Sequence, residues 1–88
     1  MYNKINKVIG KNISNLRRSM NLKQEAFAME LNSMLKMKYN INATYDFKTI
    51  SKWEMGKSIP RLDVLIAISR EYNLSLDELL KEDIKDVV

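Results

Sequence analysis

The 88-residue sequence has no cysteine and no histidine, and only two glycines and one proline. Without cysteine there is no disulfide framework, and without histidine as well the usual zinc sites and most nucleophile–base pairs lose their side chains. The two glycines, Gly10 and Gly56, stand too far apart to build a phosphate-cradling loop, and no paired carboxylates suggest acid–base chemistry. No apolar run approaches the roughly 20 residues that cross a bilayer. The stretch Met1–Lys11 mixes Asn and Lys with isolated aliphatics, unlike the apolar centre of a secretory signal. These absences lead us to expect a cytoplasmic protein that is not an enzyme and needs no metal or cofactor.

What is present is charge, unevenly placed. Hydrophobic residues make up 45% and charged residues 30%, the balance of a soluble globular protein, and the length suits one domain: a core over about 5–80 and a polar tail, 81–88. Met1–Arg61 carries 12 Lys/Arg against 4 Asp/Glu, whereas Leu62–Val88 carries 3 against 7. The basic part is therefore the part suited to a polyanion.

Apolar spacing resolves five helices. Ile9, Ile13, Leu16 and Met20, with Ile5 a turn earlier, share one helical face, and Asn21 is suited to the left-handed conformation that closes it. A second helix opens near Lys23, carries Phe27, Leu31, Met34 and Leu35 on one stripe, and runs to about Tyr39. The segment NINATY (Asn40–Tyr45) has no helical period and reads as an extended loop ending at Asp46, an N-cap residue. Tyr45 is expected to staple onto Ile50 at the start of the third helix, which spans Phe47 to about Met55 and stops at Gly56. After Pro60, Leu62, Leu65, Ile66 and Ser69 are expected to line the inward stripe of a fourth helix closed by Asn73. Ser75 and Glu78 have capping-box spacing at the start of the fifth, whose Leu76, Leu79 and Leu80 form an apolar side. The fold class is all-α.

At about 100° per residue, Ile50 and Trp53 fall on one side of the third helix and Lys48, Ser51 and Lys52 on the other. A short helix with a buried indole and outward lysines suits a DNA major groove, where such side chains meet base edges and phosphates.

The stretches IGKNISNLRRSMNLKQEAFAMEL (Ile9–Leu31) and TISKWEMGKSIPRLDVLIAISREYNLSLDELL (Thr49–Leu80) resemble the Cro/cI-type, or xenobiotic-response-element-like, helix-turn-helix family. That resemblance implies a five-helix lambda-repressor-like DNA-binding domain acting as a transcriptional regulator, expected to be a repressor. It places Phe47, Lys48, Ser51 and Lys52 toward the bases, and Gln24, Lys57, Ser58 and Arg61 toward phosphates. It also pairs Arg17 with Glu54 as scaffold, and implies a homodimer on a palindromic operator of double-stranded DNA. Phe47 has a second reading as a packing residue, because it borders the inward face. The family's capping Thr or Ser is here Lys23, and a common polar position after the reading helix is Met55.

The chief departure is length. Leu31 and Ile50 are 19 positions apart, whereas a compact helix-turn-helix allows about seven, so roughly twelve residues are inserted. They extend the second helix and add the NINATY loop; Lys36, Lys38 and Tyr39 in that extension either widen a DNA footprint or solvate a helix end. The apolar residues Leu76, Leu79, Leu80, Ile84, Val87 and Val88 are the candidates for a dimer contact. The rival expectation, from another class, is a helical protein-interaction module or antitoxin-like regulator whose apolar last helix and acidic tail bind another protein.

Overall fold

Residues 4–80, which the computed structural model describes, fold into five helices: α1 (Lys4–Ser19), α2 (Gln24–Tyr39), α3 (Phe47–Glu54), α4 (Leu62–Glu71) and α5 (Leu76–Leu80). Left-handed residues end the first four. Asn21, Asn40 and Asn73 have φ of 58°, 52° and 55°, and Gly56 has 76°. After α1, Asn21 N–H donates to the Arg18 carbonyl and Leu22 N–H to that of Arg17; after α3, Gly56 N–H donates to Trp53 and Lys57 N–H to Lys52. Both are Schellman closures, which satisfy carbonyls that a helix end would leave bare. At the start of α5, Ser75 Oγ accepts from Glu78 N–H at 3.0 Å while Glu78 Oε1 accepts from Ser75 N–H at 3.3 Å, a reciprocal capping box. Lys23, before α2, supplies no side-chain cap.

The core joins Ile9 and Ile13 of α1, Phe27, Leu31 and Leu35 of α2, Ile50 and Trp53 of α3, Val64, Leu65 and Ile68 of α4, and Leu79 of α5. Helix α1 lies on α3 and α5, and α2 on α3 and α4, so α3 is held from two sides.

Three expectations are corrected and a fourth, on Tyr45, is extended. Ile5 is 58% exposed: it shares the face of Ile9 but lies one turn earlier, in the first turn of α1, outside the buried core. On α4, Leu65 and Ser69 are buried but Leu62 is 68% exposed and Ile66 only half-buried; Val64, Ala67 and Ile68 take the inward positions. Tyr45 meets the Trp53 ring edge-on, with centroids 5.0 Å apart, one turn beyond the expected partner Ile50. Leu79 is buried in the core, and Leu76 packs against it, which removes both from a free dimer surface; Leu80 is 45% exposed, and Ile84, Val87 and Val88 lie outside the described residues.

Both glycines sit at the contact between α1 and α3. A Cβ on Gly10 would overlap the Trp53 carbonyl oxygen and come within 2.9 Å of that of Glu54. A Cβ on Gly56 would meet the Lys7 side chain at 2.9 Å and its Cα at 3.1 Å. Each helix thus presents a bare backbone to the other. Gly10→Ala should lower thermal stability by about 1–3 kcal/mol, through overpacking against backbone that cannot rotate aside. This loss opposes the roughly 1 kcal/mol that alanine gains in helix propensity. A thermal melt decides the balance, and a raised Tm would contradict so close an approach.

Candidate nucleic-acid interface

Helix α3 is short, and its phase is set by what it buries. Asp46 caps its first turn, Oδ1 accepting from Thr49 N–H at 3.0 Å and from the Thr49 hydroxyl at 3.2 Å. These bonds, the Thr49 amide foremost and Lys48 nearby, hold the Asp46 carboxyl below its ordinary range. Ile50 and Trp53 are buried inward. With those two fixed, Lys48 and Lys52 stand exposed on the opposite side, Ser51 is half-buried, and Phe47 is exposed at the border of the buried face. Phe47 is 46% exposed, partway between packing and solvent.

Glu54 anchors the C-terminal end of this helix. Its Oε2 accepts from Arg17 Nε at 2.7 Å, and its Oε1 accepts from Arg17 Nη2 at 3.0 Å and Gln24 Nε2 at 3.1 Å. Ser14 of α1 is buried. Arg17 Nη1 donates further to the Leu22 carbonyl at 2.8 Å, in the turn between α1 and α2. The pair is nearly enclosed, with side-chain exposures of 13% for Arg17 and 8% for Glu54. Burial alone would raise the Glu54 carboxyl, but the bonds from Arg17 and Gln24 outweigh it and hold it below its ordinary value. Arg17 is raised correspondingly, chiefly by its bond to Glu54.

The residues assigned to phosphate contact are dispersed around α3. Lys57 is exposed and Ser58 half-buried in the connection from α3 to α4. Arg61 stands exposed before α4, its Nε and Nη2 held by Asp63 at 3.1 and 2.9 Å, a surface pair that water and salt weaken. Gln24 has one amide N–H turned inward to Glu54, so at most its remaining N–H faces a phosphate. Met55 is 50% exposed at the end of α3. Of the inserted lysines, Lys38 ties the end of α2 to α4 through Glu71 at 2.7 Å, while Lys36 is exposed.

Two residues that shape this surface are given no role by the sequence. Asn32 of α2 donates to the Tyr45 carbonyl at 2.8 Å and accepts from Tyr45 N–H at 2.9 Å, fixing the chain just before α3. Gly10 lets α1 reach the end of α3; an isolated glycine in a helical pattern was its one signal.

The acid response of the cluster follows from its sign. Glu54 releases its proton more readily folded than unfolded, so its contribution is full above the ordinary value of 4.5 and is lost as pH falls through the lower folded value. Arg17→Ala should cost about 2–3 kcal/mol at pH 7, since it strands a buried carboxylate with only neutral donors. Glu54→Gln should flatten the fall of Tm between pH 5 and 3 relative to the parent chain. An unchanged melting temperature for Arg17→Ala would deny the cluster its structural role.

The sequence profile of a helix-turn-helix family matches residues 46–79, from the N-cap of α3 into α5. Helices α1 and α2 and the segment joining α2 to α3 lie outside the matched stretch. Neither curated proteins nor solved structures return a match to the chain. No helix among the described residues is long and apolar enough to cross a membrane. The match and the observed helices together place a helix-turn-helix motif within an all-helical domain.

Proposed function

We propose that this chain is a cytoplasmic, sequence-specific transcriptional regulator of the Cro/cI type, a repressor that reads operator DNA with α3. The observation that carries the reading is the outward row of Phe47, Lys48, Ser51 and Lys52 on a short helix held from behind by Ile50, Trp53 and Glu54, inside a helix-turn-helix motif. A helix about 10–12 Å across fits the roughly 12 Å wide major groove, and there lysine donates to guanine O6 and N7 while a phenyl ring packs on a thymine methyl. Lys57, Ser58, Arg61 and the outer N–H of Gln24 contact phosphates and set register rather than sequence. The chain acts as a homodimer, placing two copies of α3 in successive major grooves about 34 Å apart on a palindromic site.

Selection of bound fragments from a random duplex pool should return one motif with twofold symmetry. Against the selected duplex, Lys48→Ala and Lys52→Ala should each weaken binding. A lost phosphate contact would make the log–log salt dependence shallower by about 0.9, whereas a lost base contact would relax preference at one position by about 1–3 kcal/mol. Specific binding that survives both substitutions would refute α3 as the reader.

A further inference from the structure

The segment joining α2 to α3 is a pinned strap. From Asn40 to Asp46 burial alternates residue by residue: Ile41, Ala43 and Tyr45 are half-buried, and Asn40, Asn42, Thr44 and Asp46 are exposed. This is the period of an extended chain lying along a surface. Its start is fixed by the Ile41 N–H bond to the Leu35 carbonyl at 2.9 Å. Its end is fixed by the two Asn32 bonds to the Tyr45 backbone and by the Tyr45 ring on Trp53. Ile41 and Tyr45 pack against the core.

The outward side chains are chemically uniform. Asn42 and Thr44 offer an amide and a hydroxyl, and neither makes a hydrogen bond among the described residues. The neighbouring acid, Asp46, is committed to Thr49 at the cap of α3. The strap ends where the exposed row of α3 begins, at Phe47 and Lys48. Two neutral donors are therefore held, with their backbone already fixed at both ends, on the stretch of chain that leads directly into the exposed row of α3.

We propose that the strap is a second DNA-contacting element, in which Asn42 and Thr44 donate to phosphates flanking the groove that α3 reads. The inference rests on the DNA-binding reading given above. An unpinned insertion would lose conformational freedom on binding, whereas this one has lost it already on folding, so its two donors act at little further entropic cost. Because both are uncharged, they add affinity without displacing counterions.

The test uses the full chain and the duplex recovered by selection from a random pool. The double variant Asn42→Ala, Thr44→Val should bind about a hundredfold more weakly, as expected for two hydrogen bonds to charged acceptors. It should keep the parent's Tm, selected motif and salt slope, and lose backbone protection only at the flank of the hydroxyl-radical footprint. Lys48→Ala, measured beside it, reports on the reading helix. Unchanged affinity and footprint in the double variant, with Lys48→Ala impaired, would overturn the strap proposal and leave the reading helix standing. A lowered Tm would also overturn it, by giving these side chains a role in folding. Failure of the parent chain to select any duplex would overturn both readings together.

Discussion

Glu54 brings a negative charge into the seam where α1, α2 and the end of α3 meet, and the orientation of the exposed row on α3 depends on how that charge is satisfied. Arg17 reaches it from α1 with two bonds, Gln24 from the first turn of α2 with one, and Arg17 also holds the turn between those helices through Leu22. A carboxylate so enclosed is tolerable only with its donors in place, because an unpaired buried charge is far more costly than an unpaired exposed one. The cluster therefore permits few rotations of α3 about its axis. Trp53 and Ile50 set the same phase by burial, and the outward row from Phe47 to Lys52 is the geometric remainder.

The long path from α2 to α3 leaves that phase undisturbed. Helix α2 continues beyond its packed stripe to Tyr39, where Lys38 secures its end to Glu71 of α4, and the chain then returns as the strap clamped by Asn32. A compact helix-turn-helix orients its reading helix by the tightness of one turn. Here the approach to α3 is held by a few discrete bonds and one aromatic edge contact. The matched profile begins at Asp46, immediately after this rebuilt connection.

Helix phase was legible in the sequence wherever aliphatics alternate with polar residues. The stripes through Ile9 and Ile13, and through Phe27, Leu31, Met34 and Leu35, are buried, and Asn21, Asp46, Gly56, Asn73 and the Ser75–Glu78 pair end or begin helices. Phase failed on α4 because Leu62, Val64, Leu65, Ile66, Ala67 and Ile68 are all apolar; every face looks inward, and tertiary packing chooses. The bond between Asn32 and Tyr45 left no local trace, since a polar residue on a helix and an aperiodic loop 13 positions later share no pattern. Arg17 and Glu54, 37 positions apart, were likewise beyond periodicity and came only through resemblance. The outward placement of Lys48 and Lys52 needed nothing more than the helical angle between them and Trp53.

The sequence has two glycines and places both where α1 crosses the end of α3. Three other left-handed helix ends use asparagine, whose short polar side chain tolerates that backbone. At Gly56 a side chain would strike Lys7, and at Gly10 it would strike the last carbonyls of α3. Interlocked backbones have no rotamers through which to slide, so α1 and α3 behave mechanically as a single solid piece. A load on α3 is thus shared by α1, because the close approach at Gly10 leaves the joint between these two helices little room to yield.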